Sequence, residues 1–594
     1  MTKVTMGHNR RRILFARLLI GLAQGIGLWW LYSARAEPWA KLGGAWISLD
    51  LILHYSPLIV LAALGRIRWF VLASWTAAAT MILALLGYYA VWREPPSVFP
   101  VPFSLGLDLP IFVFGGAALY ILHHLIEPAD QARALRAPYA AYVNSAWRDA
   151  FQLGLALLFV GVVQGVVYLG AALFAAIPAQ SIASALRSDA FVLPLLGLAF
   201  AGAVHQTDVK PSLLAGVRTI GLTLLSWLLL LATPLITIFL MARLANGAQP
   251  TAPLVLGSRL LFIAAATLIV LVNAAYQDGH ARESLPAVLR WCGRGAALLL
   301  LPLVVLVVVG LAQRIGEYGL SPQRVDGVAV AGITTVYAAG YFWAAVSPGN
   351  WLKRIEAVNP FAALVTVAII LLALSPVADP ARLSVDDQVA RLQSGATPIE
   401  RFDFAALNQR FARYGREALA DLARSANQTI AAAAQRAMDR SMPGQPSGPR
   451  LANAQVLPAG SALPDSFRQQ AWTADLPDLR NNAAACMISD AACTLVVVER
   501  DAAGPTLIVA LSAQLIQPAV LFARRPDGGW MRAGVAYGTQ SEAFRRGVAE
   551  GQVAVIPPSL PDLRVGQTRL HFSPDAAFIG LREAPEQPVT VPRQ

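Results

Sequence analysis

The chain has 594 residues, of which 56% are hydrophobic and 14% charged, and its formal net charge is +12. Soluble domains carry about a quarter charged residues, so a wholly soluble chain is excluded, and the apolar excess is concentrated before Pro376. The Lys and Arg lie mostly in short loops between apolar stretches, with no basic patch interleaved with aromatics. That pattern fits charges held on one side of a bilayer and needs no nucleic acid as partner.

Arg10, Arg11 and Arg12 precede an apolar run, and Ala34-Arg35-Ala36 resembles a cleavage site. The run is about 20 residues, longer than the apolar core of a signal peptide, and so reads as an uncleaved first span. Lipid offers no hydrogen bonds to the backbone, and about 20 apolar residues are needed to cross it as a helix. About eleven stretches meet that rule. In order they are Leu14 to Tyr32, Ala45 to Leu64, Trp69 to Val91, Leu107 to Ile126, Phe151 to Ile177, Ala190 to His205, Val217 to Met241, Leu254 to Tyr276, Gly295 to Ala312, Val328 to Val346 and Phe361 to Ser375. A polar connector with Arg133, Arg136 and Arg148 precedes the fifth. With the N-terminus inside, Lys and Arg divide about 16 inside to about 8 outside, and an odd number of crossings leaves the C-terminal region outside.

Four segments follow from this: a transmembrane bundle over 1–376, a helical extramembrane stalk over 377–440, a Pro/Gly/Ser-rich linker over 441–464, and a β-rich α+β domain over 465–594. Asp386 to Gln393 and Phe404 to Met438 carry helical patterns. Thr494 to Glu499, Thr506 to Leu511, Val520 to Arg524 and Trp530 to Val535 read as strands, the last two joined at Pro526-Asp527-Gly528-Gly529. The fold class is thus an all-α polytopic membrane helix bundle of about eleven transmembrane helices, followed by a C-terminal soluble α+β domain.

Ionisable or polar residues inside a span are costly and mark candidate sites. Asp50 and His54, four apart, share a helix face and can pair. His123, His124, His205, Asp208, Asp278 and His280 all fall at inner helix ends. They form either a titratable patch or the points where helices leave the bilayer. Asp50 and His123 differ by about 16 Å along the normal, so the two sets belong to separate places. Arg17 can snorkel inward, Gln24, Gln164 and Asn273 are polar candidates for helix contacts, and Gln277 belongs to a polar motif that ends a span. Gly21 with Gly25, and Gly161 with Gly165, are small-xxx-small pairs that permit close helix approach. Of the three cysteines, Cys292 is expected free. Cys486 and Cys493 would close a short disulfide loop if their domain is outside, or stay as thiols if it is cytosolic. No nucleophile elbow, zinc helix or phosphate loop is present, so no catalytic residue, metal or cofactor is assigned.

The segments Arg17-Leu18-Leu19-Ile20-Gly21-Leu22-Ala23-Gln24-Gly25, Asn273-Ala274-Ala275-Tyr276-Gln277-Asp278-Gly279, Tyr318-Gly319-Leu320-Ser321-Pro322-Gln323-Arg324, Arg382-Leu383-Ser384-Val385-Asp386-Asp387-Gln388 and Arg413-Tyr414-Gly415-Arg416-Glu417-Ala418-Leu419 carry a resemblance. They resemble a family of bacterial multi-pass inner-membrane proteins catalogued as domain of unknown function 4153. The resemblance implies an inner-membrane location and transfers no catalytic residue. The expectation is a non-enzymatic inner-membrane protein whose outer domain binds an envelope protein partner or senses conditions there. A secondary transporter is the first alternative, suggested by Pro57, Pro110, Pro194, Pro234 and Pro302. An intramembrane enzyme acting on a lipid-linked substrate is the second.

Overall fold

The computed structural model describes residues 3–34, 43–94, 109–177, 179–245, 254–279, 285–439, 451, 454–457, 461–470, 493–498, 507–512, 519–524, 529–536, 563–565 and 568–570. The chain forms two compact units, Met1–Gln435 and Arg436–Gln594.

The first unit is helical. Its membrane body comprises α1 (Lys3–Ser33), α2 (Gly44–Ala63), α3 (Trp69–Arg93), α4 (Leu109–Ala132), α5 (Tyr139–Ala175), α6 (Gln180–Arg187), α7 (Asp189–Val209), α8 (Pro211–Trp227), α9 (Leu229–Ala245), α10 (Leu254–Tyr276), α11 (Ala287–Tyr318), α12 (Pro322–Val346) and α13 (Ile355–Ala373). Among the described residues eleven segments are long and apolar enough to cross a membrane, α8 and α9 together supplying one of them. Large apolar side chains stay exposed along these helices, as Leu158, Val166 and Leu169 do on α5, which is where lipid would meet them.

Close packing is set by small residues and by repair of broken backbone. A Cβ on Gly21 of α1 would meet the carbonyl of Gly197 on α7, and one on Gly25 would meet the carbonyl of Leu193. Only glycine lets these two helices approach so closely. Gly161 and Gly165 on α5 meet nothing within 4 Å. Pro57 removes the N–H that would bond to Leu53 in α2. Gln24 of α1 supplies the replacement, its Nε2 donating to the Leu53 carbonyl at 3.1 Å.

Four shorter helices follow: α14 (Pro380–Gln393), α15 (Phe404–Arg410), α16 (Ala412–Leu422) and α17 (Gln428–Asp439). The stretch expected as one helix from Phe404 to Met438 is therefore three. The first of the four helices does not stand off as a stalk. Asp379, fully buried, caps α14 by accepting from the N–H of Ala381 at 2.7 Å, and it also accepts from the Tyr89 hydroxyl of α3 at 2.6 Å. Asp387 accepts from the Leu320 N–H at 2.7 Å, and Gln388 donates to the Leu320 carbonyl at 2.8 Å. Tyr414 of α16 shares a hydrogen bond with Tyr89 at 3.0 Å. These helices cap the ends of α3, α11 and α13 and the start of α12.

The second unit holds a five-stranded sheet in the order β1 (Ala454–Leu457), β2 (Cys493–Val498), β3 (Leu507–Ser512), β4 (Ala519–Arg524) and β5 (Trp530–Ala536). Strands β2 to β5 form an antiparallel meander, while β1 runs parallel to β2. β1 lies inside the segment expected as linker, which is thus partly ordered. A short helix, α18 (Asp465–Gln469), places Phe467 against Phe522 and Trp530, both fully buried. Gln470 closes this packing with two bonds to the Trp530 backbone, each 2.7 Å. A two-stranded ribbon, β6 (Leu563–Val565) and β7 (Thr568–Leu570), follows.

Candidate functional site

A buried ion-pair network joins α1, α2, α4, α5 and α7 at one end of the membrane body. Arg17 is wholly buried and donates from Nη2 to Asp208 at 2.8 Å and to the Leu64 carbonyl at 3.3 Å. It is locked inside the body and does not snorkel to the interface. Arg66, in the turn after α2, bridges Asp149 at 2.9 Å and Asp208 at 2.6 Å, and also reaches Gln152 at 3.2 Å. Arg148 donates to both oxygens of Glu127, at 2.8 and 3.0 Å, and to Asp149 at 2.7 Å. Three guanidiniums thus face three carboxylates, and neighbours share them. Each charge is costly to bury alone and tolerable only because it is matched.

Two histidines complete this end. His124 has Nδ1 2.7 Å from the Tyr120 carbonyl and Nε2 3.3 Å from Asp149, and both neighbours only accept. His123 accepts from the Trp75 indole N–H at Nδ1, 3.2 Å away, which leaves its proton on Nε2. That Nε2 is buried without a hydrogen-bond partner, the nearest carboxylate being Glu127 at 3.6 Å.

His123, Glu127 and Asp149 bring ligand atoms within 4.8 Å of one another, which raises the question of a metal. The donor chemistry argues against it. Both Glu127 oxygens and both Asp149 oxygens already accept from guanidinium groups, and Nε2 of His123 carries a proton. A cation would have to displace two arginines from the same spot.

The residues singled out in the sequence distribute over three places. His123, His124 and Asp208 join the network, and His205 lies buried three residues before Asp208 on α7. Asp50 and His54 pair with each other, His54 Nδ1 lying 3.4 Å from Asp50 Oδ1, which also accepts from the Tyr32 hydroxyl at 3.0 Å. Asn273 belongs to an uncharged cluster. It donates to Tyr341 at 2.6 Å, Tyr341 donates to Asn359 at 2.8 Å, and Asn359 donates back to Asn273 at 2.6 Å and to Tyr139 at 2.8 Å. Tyr276 donates to Glu356 at 2.7 Å nearby. Gln277, with φ 52°, and Asp278 form the turn that ends α10. His280 and Cys486 lie outside the described residues. Cys493 opens β2 and is disulfide-bonded, whereas Cys292 is free.

Asp149, Arg66 and Arg148 were missed as site residues. Hydropathy puts Arg148 in a connector before the fifth span, but α5 begins at Tyr139 and carries Arg148 within it. A signal was there. Ser145, Asp149, Gln152 and Ala156 are spaced by four, three and four, one face of a helix, and all are buried.

The network and the uncharged cluster gather at the starts of odd-numbered crossings and the ends of even-numbered ones. The α14–α16 cap sits at the opposite ends. α8 runs across the network end, because Arg218 reaches Asn144 near the start of α5 and Ser226 reaches Ala274 at the end of α10. Those two residues are about 12 Å apart along the helix.

Alternating apolar crossings around a self-neutralised charge cluster define a multi-pass membrane protein. A family model described as Domain of unknown function (DUF4153) matches residues 53–422, and the chain belongs to that family. The match ends at the last residue of α16, so it includes the cap and most of the network, and it leaves Arg17 and the sheet outside. No curated protein and no solved structure matches the chain.

Proposed function

We propose that this is a non-enzymatic bacterial inner-membrane protein that works by binding or sensing in the cell envelope, with its N-terminus cytoplasmic and its β-rich unit periplasmic. The observation that carries this reading is the contrast in thiol state. Cys493 of the sheet is disulfide-bonded, while Cys292 of the membrane body is free. Disulfides persist in the periplasm and are rare in the cytosol. The proposed partner of Cys493 is Cys486. The eleven candidate crossings among the described residues and the excess of Lys and Arg on the network side point the same way.

Transport is the weaker reading. It calls for a polar cavity at mid-depth, whereas the cavity between α2, α4, α5 and α7 is apolar along its length and polar only at one end. An enzyme acting through Glu127 is disfavoured because Arg148 occupies both of its oxygens.

The test uses the full chain in cells. A phosphatase fused after Gln594 should be active and a fluorescent protein fused there dark. Thiol alkylation under acid quench should label Cys292 and spare Cys493 until reductant is added. A fusion active only as a cytosolic reporter, or Cys493 alkylated without reductant, would overturn the assignment.

A further inference from the structure

In the network, Arg17, Arg66, Arg68 and Arg148 are matched by Asp130, Asp149, Asp208 and Glu127. Four other cations at the same end of the membrane body are not matched. Arg290 and Arg294 are one turn apart on α11, and Lys353 and Arg354 end the loop between α12 and α13. Among the described residues no carboxylate lies within ion-pair distance of any of them. Glu356, close by in sequence, turns instead to the Tyr276 hydroxyl, 2.7 Å away.

Three contacts hold these cations in one framework. Trp351 of the loop donates from Nε1 to the Arg290 carbonyl at 2.9 Å. Arg294 donates from Nε to the carbonyl of Ala345, near the end of α12, at 2.7 Å. The Arg354 guanidinium sits over the Trp343 ring, 4.2 Å from its centroid. A guanidinium seated on an aromatic face keeps its N–H donors free for an oxyanion, and it can meet a phosphate through two of them.

The surroundings decide what brings the anion. Trp291 and Trp343 are 72% and 47% exposed, the habit of aromatic side chains at head-group depth. Leu298, one turn beyond Arg294, and Phe361, two turns beyond Arg354, are exposed apolar side chains on the same helix faces. Cations at the rim with an apolar wall below fit an amphiphile with a negative head. An acidic protein would match the charge and leave the wall uncovered.

We propose that the α12–α13 loop and the start of α11 bind the phosphate of an anionic lipid, with Arg354 as the principal contact and the lipid tails along the exposed apolar faces beyond it. Binding of this kind does not depend on which compartment that end faces.

The full chain in detergent micelles is titrated with phosphatidylglycerol or with phosphatidylcholine of the same tails, and bound lipid is counted by native mass spectrometry. Phosphatidylglycerol should bind more tightly by about fivefold or more. Arg354→Gln should weaken its binding by about fivefold, and Arg354→Gln with Lys353→Gln by about 25-fold. Trp343→Leu keeps every charge and should still weaken binding by about twofold to fivefold, because the guanidinium loses its seat. Arg136→Gln removes an exposed cation elsewhere at the same end, in the loop before α5, and should change nothing. All four positions are exposed, so the unfolding midpoint should stay at the wild-type value. Equal binding of the two lipids, or equal losses for Arg136→Gln and Arg354→Gln, would overturn the site. Displacement of the lipid by inorganic phosphate or by a polyglutamate peptide at equal concentration would overturn its assignment to a lipid.

Discussion

Asp149 is the most informative residue to perturb, because it is the shared centre of the charge network. It accepts from Arg66 at 2.9 Å and Arg148 at 2.7 Å, and its side chain is 8% exposed. Removing one partner of a buried ion pair costs about 3–5 kcal/mol, because the other charge is left unmatched. Arg66 keeps Asp208 and Arg148 keeps Glu127, and Arg148 is 31% exposed. Asp149→Asn should therefore fall at the low end, about 3 kcal/mol. Arg66→Gln should cost a similar amount by stranding Asp149 and Asp208 with one cation fewer. In the double variant the remaining groups form two complete pairs, Arg17 with Asp208 and Arg148 with Glu127. Its loss should be smaller than the sum of the singles by about 1–3 kcal/mol. The assay is SDS-titrated unfolding of the full chain in mixed micelles, followed by tryptophan fluorescence. Additive losses in the double variant would refute shared neutralisation.

Other expectations follow from the packing. Gly197→Leu puts a side chain into the Gly21 carbonyl and should cost about 3 kcal/mol or more in the same assay, whereas Gly161→Ala on the open face of α5 should stay within about 0.5 kcal/mol. Tyr341→Phe strips the fully buried hub from the uncharged cluster and leaves Asn273 and Asn359 short of a partner, for about 1–3 kcal/mol. Asp379→Ala removes both the α14 cap and the bond from Tyr89. It should expose the 394–402 connection to limited proteolysis while thermal unfolding of the membrane body moves little.

The crossings were legible because hydropathy is a property of each segment by itself. Length and apolar content settle whether a stretch can cross lipid, and nothing distant changes the answer. The network was not legible for the opposite reason. Arg17 and Asp208 are 191 positions apart and Arg66 and Asp149 are 83 apart, and no local pattern joins them. Arg148 looked like a loop charge because the polar face of early α5 lowers hydropathy below what a span requires, although the helix continues, and Arg66 does lie in a turn, with partners far along the chain. β1 was hidden by its length, four residues in a Pro- and Gly-rich stretch, and by parallel pairing with a strand some forty positions on. The β4–β5 hairpin announced itself because alternating strands flanked a turn.

The sorting of polar groups to opposite ends of the membrane body is tested most directly by thiol access. In a background with Cys292→Ser, Glu317→Cys marks the capped end and Lys210→Cys the network end, both at exposed positions. An impermeant maleimide applied to intact cells should label the first and reach the second only after the inner membrane is opened. Equal labelling of both before lysis would contradict the account.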